Sequence, residues 1–190
     1  VENMYDVTEN AYVTEAGGII YTKIYTDGSC REGSIKDLAR AGWGVFVAPG
    51  SPHNYAAPLD GPVQTSYRAE LKAISHVLRY VINPTMIMCD CQGIVNTLTK
   101  LLEDKVEPEH IKERDLWDQI FHLTDDLTTK QLCIQWMPSH LEEEKNMQKR
   151  DLFLKKGIIT QDDIEGNVSA DKLAFEGADA HENITESIAD

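Results

Sequence analysis

Three strand-like runs crowd into the first third of the chain, and a regular alternation of helix and strand follows them, an order that calls for a mixed sheet covered by helices. From Gly18 to Asp27 the run GIIYTKIYTD alternates β-branched and aromatic residues with polar ones, and Gly42 to Ala48 (GWGVFVA) repeats the signature. A Pro-Gly-Ser-Pro turn introduces a third short strand at His53 to Ala57, which completes a β-meander. Ser66 to Tyr80 then sets Ala69, Ala73, Val77 and Tyr80, flanked by Leu71, Ile74 and Leu78, on one broad helical stripe that Asn83-Pro84 terminates. Thr85 to Asp90 reads as a short buried strand, Gln92 to Leu102 and Lys112 to Leu127 as helices, and Gln131 to Trp136 as a strand. A last helix begins near Gly166.

The 190 residues suit one domain better than two. Residues 1–17 are polar, acidic and without a sustained period, and read as a mobile leader; residues 179–190 read as an acidic tail. The globular domain is expected over residues 18–178, as a monomer. The initial Val suggests a piece of a longer polypeptide. No stretch approaches the ~18 apolar residues of a membrane span, and the start lacks a basic segment followed by an apolar one, so an intracellular setting in cytoplasm or nucleus is expected. Cys30, Cys89, Cys91 and Cys133 form no CxxC pairs; buried free thiols fit better than a zinc site. The glycosylation-like tripeptides at Asn167 and Asn183 carry little weight without a signal peptide.

A formal charge of −14 runs against binding to a polyanion, but its location matters. Residues 1–18 hold four acids and residues 176–190 hold five, with no base in either, so the two ends carry −9 of the total.

Four carboxylates fall at strand ends or on helices next to them. Asp27 closes the first strand, Asp90 closes the strand after the first helix, Glu70 lies in that helix, and Asp171 lies in the last one. Carboxylates at the carboxyl ends of two adjacent strands sit at the rim where open α/β sheets gather ligands. Like charges that close either raise one pKa or recruit a hard divalent cation. Taken singly, Asp27 before Gly28 reads as a turn residue and the helical acids as solvated surface; the constellation is what carries meaning.

The blocks around these acids resemble a known family. Ile-Tyr-Thr-Asp-Gly-Ser-Cys at 24–30, Gly-Trp-Gly-Val at 42–45, Tyr-Arg-Ala-Glu-Leu at 67–71, Cys-Asp-Cys-Gln at 89–92, Trp-Met-Pro-Ser-His at 136–140 and Gly-Asn-Val-Ser-Ala-Asp-Lys-Leu-Ala at 166–174 are similar, in order, to those of ribonuclease H. The resemblance implies a ribonuclease H-like α/β fold, with a five-stranded mixed β-sheet flanked by α-helices. It implies endonucleolytic hydrolysis of the RNA strand of RNA/DNA hybrids by a two-metal-ion mechanism, with 5′-phosphate and 3′-hydroxyl products and two Mg²⁺ ions, Mn²⁺ serving as a substitute. It assigns Asp27, Glu70, Asp90 and Asp171 as catalytic metal ligands and His140 as a catalytic histidine. It also assigns Cys30, Ser66, Gln92 and Asn167 as contacts to the hybrid.

The chain departs from the family's pattern in two places. Between His140 and Gly166 stands an insertion, residues 141–165, acidic at Glu142 to Glu144 and then basic at Lys149, Arg150, Lys155 and Lys156. It is expected to form one or two short helices beside the site, more as a surface insertion than as a substrate clamp. Asp104 to Lys112 is short and mostly acidic where cellular relatives carry a basic protrusion. That makes the chain resemble the ribonuclease H domain of a reverse-transcribing element, in which a reverse transcriptase domain of the same polypeptide supplies much of the grip on substrate. Two competing readings share the fold: a non-catalytic nucleic-acid-binding or structural module, and another nuclease such as an integrase or resolvase.

Overall fold

The computed structural model of the protein describes residues 11–35, 37–81, 84–105, 111–125, 127 and 131–189, with side chains described through residue 181. Strands β1 (Val13–Ala16) and β2 (Ile19–Arg31) form an antiparallel hairpin with Val13 opposite Thr22 and Ala16 opposite Ile19. Its two-residue turn, Gly17-Gly18, has φ of 60° and 80°, the left-handed pair that matches the twist of the flanking strands and that glycine adopts without steric cost. Strand β3 (Arg40–Phe46) lies antiparallel to β2, and β4 (Tyr55–Pro58) antiparallel to β3. After α1 (Ser66–Tyr80), β5 (Thr85–Cys89) joins the other edge of β2 in parallel. Helices α2 (Gln92–Asp104) and α3 (Arg114–Thr124) precede β6 (Leu132–Trp136), which extends the parallel part beside β5. The path across the sheet is β4-β3-β2-β5-β6, with β1 paired to β2.

Among the described residues this is the expected α/β architecture, with six strands in place of five. The added strand, β1, comes from the stretch read as a leader, whose residues 1–10 lie outside the described residues. Of the segment Asp104 to Lys112, residues 106–110 also lie outside them, as does Asn83 of the helix-ending pair.

The pleat divides the core. Ile24 and Ile87 point into a large cluster shared with α1, α2 and α3, where Leu71, Ile74, Leu98 and Trp117 are fully enclosed. Their neighbours Tyr25 and Met88 point the opposite way, into a second cluster with Phe46, Met137, Leu141, Ile159 and Ile164. That second face is covered by the last helix, α5 (Gln161–Ala189). The helix starts five residues before Gly166 because Thr160 and Asp163 close a reciprocal cap: the Thr160 Oγ1 accepts from the Asp163 N–H at 3.2 Å, and the Asp163 carboxylate accepts from the Thr160 N–H at 2.9 Å. Its backbone continues to Ala189, through the stretch read as a tail. The insertion becomes a 3₁₀ turn (Glu144–Asn146), helix α4 (Met147–Lys155) and the opening turn of α5.

Candidate active site

The parallel register fixes the first pair of carboxylates. Tyr25 on β2 stands beside Met88 on β5, and two residues further along each strand come Asp27 and Asp90. Asp27 does not close its strand as expected. β2 runs on to Arg31 because it stays paired with β3, with Asp27 opposite Gly44. Asp90 follows the last residue of β5, and its carbonyl accepts the indole N–H of Trp136 at 3.3 Å.

Two close helix approaches bring the other acids. A Cβ on Gly28 would sit 2.4 Å from the Ser66 carbonyl and 2.5 Å from the Glu70 nitrogen, so only glycine lets α1 lie this near to β2. Glu70 therefore reaches the sheet edge, 3% exposed, where it accepts from Thr26 Oγ1 at 2.6 Å and from Cys89 Sγ at 3.4 Å. On the opposite face a Cβ on Gly44 would meet the Ala174 nitrogen at 2.6 Å and the Ala170 carbonyl at 2.7 Å. The Ala170 and Ala174 face of α5 packs there, which places Asp171 next to Asp27.

Asp27, Glu70 and Asp90 each present an oxygen, and these oxygens all lie within 4.8 Å of one another. Burial, together with repulsion from Glu70, Asp90 and Asp171, pushes the Asp27 carboxyl well above the usual carboxylate range. Burial and the Asp90 charge raise Glu70 to about 7 against the opposing hydrogen bonds from Thr26 and Cys89. Burial also raises Asp90, offset in part by the Asn167 amide and by His140. Asn167 is 5% exposed, and its Nδ2 has no hydrogen-bond partner of good geometry within the protein. A group of acids that repel one another and bring carboxylate oxygens to one point fits a hard divalent ion.

The remaining expected residues divide into near and far. Ser66 lines the open cleft over the acids, with Asp27, Gly28, Tyr67, Glu70, Asp90 and Cys91. Cys30 is turned to the Gln64 carbonyl at 3.4 Å, where it supports the loop before α1. Gln92 is exposed at the start of α2, and its amide donates to Asn96 at 2.8 Å. Asn167 was expected at the start of the last helix and instead lies well inside it, since α5 begins at Gln161. His140 stands on the loop after β6 with φ 57° and a side chain 55% exposed, and its Nδ1 is 3.3 Å from Glu143 Oε1. Tyr67 and Cys91, beside Ser66 and Asp90 in sequence, also line the cleft, although neither is among the residues expected there.

An α/β sheet with buried acids gathered at its parallel strand ends, and a fourth carried in by the last helix, defines an acidic, cation-binding class of site. The RNase H family model matches residues 21–179, and the chain belongs to that family. It is 31% identical over 163 residues to Ribonuclease H1 of Rattus norvegicus, covering 82% of this chain and 49% of the relative. It is 28% identical over 138 residues to Ribonuclease H of Schizosaccharomyces pombe, covering 70% of this chain and 52% of the relative. The chain thus spans about half the length of these curated relatives. The solution structure of the PFV RNase H domain shares the fold at TM-score 0.59 and 20% identity, over 83% of this chain and 94% of that one. LC11-RNase H1 in complex with an RNA/DNA hybrid shares it at TM-score 0.53 and 19% identity, over 84% of this chain and 97% of that one.

Proposed function

We propose that this chain is a ribonuclease H that cuts the RNA strand of RNA/DNA hybrids internally, leaving 5′-phosphate and 3′-hydroxyl ends. The observation that carries the reading is the approach of Asp27, Glu70 and Asp90 to within 4.8 Å of one another at adjoining strand ends, with Asp171 beside them. Membership of the RNase H family supports the same conclusion.

Asp27, Glu70, Asp90 and Asp171 would hold two Mg²⁺ ions, with Mn²⁺ as a substitute. When bound, such a pair supplies Lewis acidity for in-line displacement at phosphorus. The chain's own groups do the rest. The Gly28 N–H and the Thr26 hydroxyl hold the Asp27 and Glu70 oxygens in place, and the Trp136 indole fixes the backbone of Asp90. His140, half exposed on its loop and close enough to act on the Asp90 charge, shuttles a proton or assists product release at the rim. Ser66 at the cleft wall and the Asn167 amide near Asp90 would offer hydrogen bonds to the sugar-phosphate backbone, and Cys30 and Gln92 would make further contacts to the hybrid. Selection of RNA requires contacts to 2′-hydroxyls, which DNA lacks.

The setting we infer is intracellular, in keeping with four free cysteines. Among the described residues no helix is long and apolar enough to cross a membrane. The short acidic segment Asp104 to Lys112 and the negative net charge favour a domain of a reverse-transcribing polypeptide, where a neighbour adds affinity.

The test is cleavage of a labelled RNA/DNA hybrid at low salt with Mg²⁺ or Mn²⁺, wild type against Asp90→Asn. Metal-dependent cutting of the RNA strand alone, lost in the variant, is the expected result. Cleavage of duplex DNA, or no cleavage by the folded wild type, would overturn the reading in favour of another nuclease or a binding module.

A further inference from the structure

We infer that α4, the helix inside the insertion, is a second nucleic-acid contact that grips the phosphate backbone of the substrate beside the cut. The inference rests on the ribonuclease H reading and adds to it a surface outside the carboxylate cleft.

Residues 149–156 carry Lys149, Arg150, Lys155 and Lys156 against a single acid, Asp151, in a chain whose formal charge is −14. No described segment of comparable length is as basic. Lys149, Lys155 and Lys156 are exposed, whereas Arg150 lies 3.7 Å from Asp151. The Lys149 ammonium lies over the face of Phe153, 5.9 Å from the ring centroid. Elsewhere Lys23 is buried on Asp163, Arg68 is paired with Glu113 and Asp115, Lys72 with Asp60, and Lys105 donates to backbone carbonyls, while Arg79, Lys100 and Lys172 are exposed singly on α1, α2 and α5. Exposed cations grouped on one helix in an acidic protein are suited to a polyanion, because each phosphate neutralised releases counterions.

The placement of α4 joins that charge to the site. Phe153 is half buried and meets Trp136 edge-on at 6.4 Å, and Trp136 donates to the carbonyl of Asp90. Phe153 therefore marks the side of α4 turned toward β6, whose Trp136 holds the backbone of Asp90. Residues four before and three after it share that side of a helix, and these are Lys149 and Lys156. The two lysines flank the one aromatic anchor and are separated by ~10 Å along the helix axis. At the other end the Asn146 amide donates to the His140 carbonyl at 2.9 Å, so α4 is tied to the catalytic loop as well as to β6. A charge strip tethered to His140 and to Trp136 stands beside the cleft, where it can meet the backbone of a strand bound there.

The test is binding of a labelled RNA/DNA hybrid by fluorescence anisotropy with Ca²⁺ as a non-supporting ion, across about 50 to 200 mM salt, for wild type, K149A/K155A/K156A and K149R/K155R/K156R. The alanine variant is expected to bind roughly tenfold more weakly at the lower salt and to lose about two from the slope of log affinity against log salt. The arginine variant should track wild type, and cleavage at saturating hybrid should be unchanged in both. Circular dichroism and the melting midpoint check that these surface changes leave the fold intact. Equal affinity and equal slope in the alanine variant, with the wild type still cutting hybrid, would overturn this inference alone. A wild type that neither binds nor cuts hybrid would overturn it together with the reading beneath it.

Discussion

The carboxylate cluster and the wall formed by His140 and α4 lie side by side and are built in opposite ways. The cluster draws Asp27 from β2, Glu70 from α1, Asp90 from the end of β5 and Asp171 from α5, so four elements far apart in sequence must dock before it exists. Its two most enclosed acids, Asp27 and Glu70, are 7% and 3% exposed, and the backbone contacts at Gly28 and Gly44 leave no slack. The wall is one continuous stretch, from His140 to Lys156. His140 is 55% exposed, and α4 buries none of its residues completely. Rigid, distributed acids suit the chemical step, which tolerates little displacement, while a local and exposed segment suits contact with a substrate that must arrive and leave. The two regions should therefore fail differently when changed.

The largest effect is expected at the three clustered acids. Asp27→Asn or Glu70→Gln should each lower the cleavage rate by roughly a thousandfold or more, read by single-turnover cutting of labelled hybrid. Asp171→Asn should cost less, because Asp171 stands next to Asp27 but outside the tight group of three. Equal losses at all four positions would mean that the acids act as one unit.

His140→Ala comes next, with a rate reduced about a hundredfold and hybrid affinity little changed. A fall in affinity with an unchanged rate would move His140 from the chemistry to substrate binding.

Gly44→Ala probes the docking that the cluster depends on. The added methyl meets α5 backbone at 2.6 Å, so the variant should lose about 1–3 kcal/mol of stability and part of its activity as Asp171 moves away. Thermal unfolding and cleavage measured on the same sample check both halves. By contrast, Leu152→Ala on α4, where the side chain is 49% exposed, should leave the melting midpoint within about 1–2 °C of wild type.

A further effect is one of pH. In the metal-free folded chain Glu70 is raised to about 7 and Asp27 and Asp90 are also raised, whereas the unfolded chain titrates these groups near their ordinary values. The folded state then binds more protons over that window, so the stability they contribute is present at low pH and is lost as pH rises through the folded values. Between about pH 5 and about pH 8 the metal-free melting midpoint should fall, and Asp27→Asn should reduce that fall, by roughly 2–8 °C. A midpoint that rises over the same range would contradict the repulsion described here.

Much of this was legible in the sequence because strand alternation, the helical stripe of α1 and the six blocks each encode a local preference. Asp27 and Asp90 stand out as acids following strand-like runs, Glu70 and Asp171 through the blocks around them, and the parallel register carries Asp27 and Asp90 to the same rim. What escaped depends on other signals. Gly17-Gly18 between two short strand formers is a hairpin cue, but four acids in the stretch drew attention to its charge, and β1 went unread. Thr160 to Asp163 spells a capping box, yet the block starting at Gly166 suggested a later start for α5. Gly166 lies inside the helix because the Tyr25 ring packs where its Cβ would be, 2.5 Å away, a tertiary reason that no local pattern contains. The same holds for Cys30, whose thiol turns to the Gln64 carbonyl instead of into the cleft, and for Tyr67 and Cys91, which become cleft residues only once α1 has docked on Gly28.

The central claim is that four carboxylates from four elements form one divalent-cation site. It is tested most directly by calorimetric titration of the metal-free protein with Mn²⁺ near neutral pH, in two buffers of different ionisation enthalpy, for wild type and Asp27→Asn. The account predicts binding by wild type with release of protons, because the raised carboxyls must ionise to ligate, and a much weaker signal in the variant. Binding that is the same in both proteins, or no binding by the folded wild type, would contradict it.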